Sequence, residues 1–124
     1  MRVLLDTHLL LWALASPSKL SRRVRQRIES SEVFASAASI WEISIKSALG
    51  KLQASPAQVL AGIEPAGFDH LPINGEHAAK LADLPPIHRD PFDRMLVAQA
   101  SVEPMILMTD DTLLGEYGDF VEVV

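Results

Sequence analysis

Two apolar runs at opposite ends of the chain each stop at an acid. Val3-Leu4-Leu5 is followed by Asp6, and Ile106-Leu107-Met108-Thr109 by Asp110 and Asp111. Short continuous apolar runs fit strands buried on both faces, the habit of parallel sheets. Between these two runs, strand-like and helix-like segments alternate. That alternation implies right-handed crossovers and a parallel sheet covered by helices on both sides. In such sheets sites form beyond the carboxyl ends of the strands, so Asp6 and the Asp110-Asp111 pair are expected at one edge.

The intervening segments read as follows. Thr7–Ala15 is a first helix stopped near Ser16-Pro17. Ser18 or Ser21 caps the next, where Leu20, Val24 and Ile28 recur at i, i+4 and i+8 with Arg on the other faces. Glu32–Ser36 is a strand. Ser39 is expected to cap a helix from Ile40 to Leu49, with Gly50 just past its end. Ser55-Pro56 opens a helix that ends near Pro65-Ala66-Gly67. Phe68–Ile73 is a short strand, and Asn74 caps a helix through Leu84, broken by Pro85-Pro86. Asp90 caps and Pro91 begins a helix to about Glu103. Met105–Thr109 is a strand, Thr112–Tyr117 a short helix and Phe120–Val124 a last strand.

A chain of 124 residues fits one domain, 1–124, with a core large enough to need no staples. The absence of cysteine excludes disulfide, zinc-thiolate and thiol chemistry. Leu9–Ala15 is apolar but much shorter than the roughly 18 residues of a spanning helix; a cytoplasmic protein with no membrane partner is expected. A net charge of −5 disfavours bulk nucleic-acid binding, because phosphate contact favours Lys and Arg. The positive charge is uneven, however. Lys19, Arg22, Arg23, Arg25 and Arg27 fall within nine residues and can form a local basic surface or simply a solvated helix face.

The acids carry the chemistry. Asp6 reads equally as a helix cap and as a site carboxylate, with Thr7 as cap or outer donor. Glu42 and Lys46 form an i,i+4 pair, and spacing alone favours a surface ion pair over a cleft carboxylate with a phosphate-facing lysine. Asp90 and Asp93 open a helix, where negative charge is favoured anyway; Asp90 looks more like the cap, and Arg94 can pair with either. Of Asp110 and Asp111 one enters the cleft, and Asp110 is the alternative cap for the helix at Thr112. His8 and Trp12 read as packing residues. Two carboxylates about 4 Å apart repel by roughly 4 kcal/mol at an effective dielectric near 20. Several converging acids therefore call for a hard cation, Mg²⁺ or Mn²⁺, with oxygen ligands. This pattern points to a metal-dependent phosphodiester enzyme.

The segments Leu4-Leu5-Asp6-Thr7-His8, Ser39-Ile40-Trp41-Glu42-Ile43-Ser44-Ile45-Lys46 with Gly50-Lys51-Leu52, His88-Arg89-Asp90-Pro91-Phe92-Asp93-Arg94-Met95-Leu96-Val97-Ala98-Gln99-Ala100 and Thr109-Asp110-Asp111 together resemble the PIN domain, and within it the VapC toxins of bacterial toxin–antitoxin pairs. The resemblance implies a three-layer α/β/α sandwich with a central parallel sheet. It implies a Mg²⁺- or Mn²⁺-dependent endoribonuclease acting on RNA, held inactive by a VapB-like antitoxin and often a homodimer. By position it makes Asp6 the first metal carboxylate, Glu42 the second acid, Asp93 the third and Asp111 the fourth, with Asp6, Asp93 and Asp111 as metal ligands. Asp90 and Asp110 are neighbours able to substitute, and Thr7 and Lys46 support the site. Two rivals stand beside this reading. A phosphoacceptor receiver domain has similar size, but it needs an acidic pair after its first strand, where this chain has one Asp. A catalytically silent binding module of the same fold would have little use for every acid being kept.

Overall fold

A computed structural model describes residues 1–124. Five strands form one sheet: β1 (Arg2–Leu5), β2 (Glu32–Ser36), β3 (Asp69–Leu71), β4 (Ile106–Thr109) and β5 (Val121–Val123). All neighbours pair in parallel, in the order β3-β2-β1-β4-β5. The chain steps outward from β1 to β3, then crosses back to place β4 on the other side of β1. The order therefore reverses between β1 and β4, and a crevice opens beyond their carboxyl ends. Leu5 pairs with Met108 across that junction, so Asp6 and Thr109 leave the sheet side by side.

Six helices cover the sheet: α1 (Thr7–Ala15), α2 (Arg22–Glu29), α3 (Ala37–Ala48), α4 (Pro56–Ile63), α5 (Gly75–Lys80) and α6 (Pro91–Val102). Side chains alternate across a strand, and β1 shows the consequence. Val3 and Leu5 enter one core with Leu9, Leu10, Val24, Ile28, Val59 and Ile63. Leu4 enters the other with Leu96, Val97, Leu107 and Leu114. The result is the three-layer α/β/α arrangement expected from the sequence. No helix is long and apolar enough to cross a membrane.

Several boundaries differ from the sequence reading, each for a local reason. α3 begins at Ala37 rather than Ile40, because Ser36 at the end of β2 accepts from the Ala38 amide and caps it. Ser39 is thereby inside the helix. Of the two candidate caps for α2, Ser21 does the work, accepting from Val24 N. α5 ends at Lys80 and tightens into a 3₁₀ turn over Leu81–Asp83. β3 keeps only three residues of the run from Phe68 to Ile73. Gly50 (φ 72°) closes α3 as expected, with Lys51 N donating to Lys46 O and Gly50 N to Ser47 O, the double bond pattern of a left-handed glycine stop. That stop fixes the last turn of α3, from which Lys46 projects.

Candidate active site

Asp6 is both cap and site residue, because the two readings use different oxygens. Its Oδ1 accepts from Leu9 N at 2.9 Å, capping α1, while Oδ2 accepts from the Thr109 hydroxyl at 2.5 Å. The residue is only 4% exposed. Burial is the main force pushing its carboxyl above the usual carboxylate range, opposed by the Thr109 and Leu9 hydrogen bonds and reinforced by Asp110.

Glu42 corrects the surface-pair expectation. The ion pair with Lys46 exists at 2.5 Å, but Glu42 is buried and only Lys46 reaches solvent. The other Glu42 oxygen lies 2.7 Å from Thr7 Oγ1, which also lies 3.0 Å from Ser39 Oγ. A hydroxyl has one proton, so Thr7 donates to the carboxylate and accepts from Ser39. Thr7 is thus an outer donor and not the cap. Lys46 is held in its charged form chiefly by the Glu42 hydrogen bond, and Asp90 and Asp93 add to it. It is the cation already inside the acidic cluster.

At the start of α6 the two acids divide their work. Asp90 Oδ1 accepts from Phe92 N and Asp93 N, so Asp90 is the cap. The Asp93 carboxylate accepts no hydrogen bond from the protein, and His88 Nε2 lies 3.5 Å from it. Burial pushes its carboxyl up to about 7, with Asp90, Glu42 and Asp6 adding repulsion and His88 partly offsetting them. These influences show that acids from β1, α3 and α6 converge on Asp93. Arg94 pairs with neither acid. It donates to the carbonyls of Pro85 and Leu81 and to the Tyr117 hydroxyl, tying down the loop before α6.

The pair after β4 also separates. Asp110 faces Asp6 and lies 3.7 Å from His8, which stacks on Trp12 and is mostly exposed. Asp111, not Asp110, caps the following 3₁₀ turn, with Oδ1 accepting from Leu113 N. Its Oδ2 lies 2.9 Å from His88 Nε2. Oxygens of Asp93 and Asp111 and a nitrogen of His88 all lie within 4.8 Å of one another.

The donor set fits a hard divalent cation. It consists of carboxylate oxygens, and Asp93, partly buried and taking no hydrogen bond from the protein, is costly to ionise beside the other acids. A cation there would relieve that cost. The sequence reading missed His88, Thr109 and Tyr117 as parts of this region. Their signals are weak ones: a His two residues before a helix-capping Asp, and a Thr at a strand end.

The PIN domain family profile matches residues 3–119. Among solved structures, a chain of VapBC2 from Rickettsia felis, bound to a DNA fragment from their promoter, matches with a TM-score of 0.70 at 11% identity, covering 100% of this chain and 98% of that one. DNA-bound VapBC from Salmonella typhimurium matches at 0.68 and 17%, covering 100% and 97%. FitAcB from Neisseria gonorrhoeae matches at 0.66 and 22%, covering 98% and 95%. At these identities the likeness is one of fold. No curated protein matches. With its profile match running from before Asp6 to beyond Asp111, the chain belongs to the PIN domain family.

Proposed function

We propose that this PIN domain is a Mg²⁺- or Mn²⁺-dependent endoribonuclease, the toxin of a VapBC-type pair, hydrolysing RNA phosphodiester bonds with water as nucleophile. The observation that carries the reading is the convergence of acids on partly buried Asp93, which takes no hydrogen bond from the protein. Asp6, Asp93 and Asp111 are the residues that would hold the cation, with Glu42 beside them. A divalent ion held there supplies charge stabilisation for a phosphoryl oxygen and a more acidic water. The chain's own residues orient that site. Thr109 fixes Asp6, Thr7 and Lys46 fix Glu42, and Asp90 fixes the first turn of α6 that carries Asp93. Lys46, paired with Glu42 and partly exposed, would meet a substrate phosphate in this reading.

The VapB-like partner belongs to the same reading, supported by the VapBC and FitAB assemblies that share the fold. A basic side chain from such a partner would pair with the clustered carboxylates. The homodimer is proposed on the resemblance alone. The test is incubation of the partner-free protein with total cellular RNA, with Mn²⁺ or with chelator, beside Asp93→Asn. Discrete fragments that require both the cation and Asp93 support the reading. Intact RNA throughout, from folded protein that binds Mn²⁺, would favour a silent binding module.

A further inference from the structure

His88 stands against the two acids after β4 and at the start of α6, and by distance alone it looks like a third metal ligand. Its other nitrogen argues otherwise. Nδ1 lies 3.0 Å from the Asp90 backbone N–H. A backbone amide only donates, so Nδ1 uses its lone pair as acceptor, and the neutral ring carries its proton on Nε2. That proton points at Asp111 Oδ2, 2.9 Å away. To ligate through Nε2 the ring would have to move its proton to Nδ1 and orphan the Asp90 N–H. The surrounding loop resists rearrangement, because the His88 amide donates to the Tyr117 hydroxyl and that hydroxyl also accepts from Arg94.

We propose that His88 is a positioning residue for Asp111, a hydrogen-bond donor that aims the fourth carboxylate, and is not a ligand. The proposal rests on the cation site described above. Asp111 is tied at three points. Its amide donates to Thr109 Oγ1, its Oδ1 accepts from Leu113 N, and its Oδ2 accepts from His88. Only the last of these reaches across from the α6 side of the crevice. It therefore sets how the Asp111 carboxylate stands relative to Asp93 before a cation arrives. Because no nitrogen ligates, the donor set stays all-oxygen and suited to Mg²⁺ and Mn²⁺ over zinc.

Two substitutions separate the two nitrogens. In His88→Asn the side-chain oxygen can accept from the Asp90 amide, as an Asx turn does, but the side chain is too short to reach Asp111. In His88→Gln the amide nitrogen reaches the place of Nε2. By calorimetry, His88→Asn is expected to bind Mn²⁺ about 10–100-fold more weakly, the usual cost of losing an outer partner, with an unchanged melting temperature; His88→Gln recovers most of that loss. In nitrogen-15 NMR of histidine-labelled protein, His88 keeps a protonated Nε2 and a bare Nδ1 before and after saturation with Mg²⁺. A proton that moves to Nδ1 on adding Mg²⁺ would make His88 a ligand and overturn the proposal. So would wild-type Mn²⁺ affinity in His88→Asn. A wild-type chain that binds neither ion would sink the cation site itself, and with it the purpose given to His88, while the same spectra still report which nitrogen carries the proton.

Discussion

His77 and His88 make the same hydrogen bonds in two parts of the molecule and serve different ends. Each accepts a backbone N–H at Nδ1, from Asn74 and from Asp90. Each places Nε2 against a carboxylate, Glu103 at 2.5 Å and Asp111 at 2.9 Å. His77 is wholly buried in a chain that runs from Ser36 through Gln99 to Glu103, and Arg2 approaches Glu103 from the far side. There one acid meets two cationic or donor partners, His77 and Arg2. Around His88 the balance is reversed. Glu42, Asp90, Asp93 and Asp111 have Lys46 and the His88 ring between them, and Asp6 adds to their repulsion. The donor geometry is common to both places; the surplus of carboxylates is not, and it is the surplus that asks for a cation.

The comparison breaks most directly at Asp93. Asp93→Asn is expected to lower cation-dependent RNA cleavage by at least about a hundredfold, the scale of losing one charge-stabilising group in a hydrolytic site. Cleavage at the wild-type rate would take the residue out of the reaction. His77→Ala attacks the other side. It leaves a cavity and strips Glu103 of its closer partner, and about 3 kcal/mol of stability should be lost in urea titration. Mn²⁺ affinity measured on the folded fraction should not change; a matching fall in both would mean that the buried network and the acid cluster are coupled.

A pH experiment sharpens the contrast further. Burial and neighbouring acids raise the folded Asp93 carboxyl from 3.8 to about 7. A group raised on folding adds stability that is full below its unfolded pKa and lost as pH climbs through the folded one. Without divalent cation, the chain should therefore weaken between about pH 4 and pH 7, and Asp93→Asn should lack that part of the slope. At pH 8 the variant should be more stable by about 2 kcal/mol, discounted because the side chain is 22% exposed. Saturating Mg²⁺ should restore the wild type and not the variant. Parallel pH profiles for the two proteins would show that Asp93 ionises freely. The smallest effect is expected at Tyr117→Phe, which removes the hydroxyl shared by the His88 amide and Arg94. A loss of about 1 kcal/mol is expected, with a modest weakening of Mn²⁺ binding as the loop before α6 loosens.

Much of this architecture could be read before any coordinates. The runs at Val3–Leu5 and Ile106–Met108 carry their own burial, since no strand with a solvated face would be apolar at every position. Thr7–Ala15, Glu32–Ser36 and the Pro91 helix announce themselves through caps, period and a helix-opening proline. The four acids in order, Asp6, Glu42, Asp93 and Asp111, carried the family. Sequence spacing misjudged Glu42, because an i,i+4 pair on one helix says nothing of what covers it, and Thr7 comes from 35 residues away. It also sent Arg94 to an acid, although the guanidinium is taken by backbone carbonyls of a loop that only the fold brings near.

What the sequence determined by itself is whatever depends on neighbours along the chain: the alternation of strand and helix, the helix starts, and the identity of the acids at the strand and helix ends. Tertiary structure alone decided how those acids are shared out. It gave Asp90 and Asp111 capping duties, left Asp93 without a donor, put Lys46 inside the cluster and aimed His88 at Asp111. Those assignments depend on distances between groups far apart in sequence, and hydrogen bonds and charge repulsion are set by distance in space, which a linear pattern does not contain.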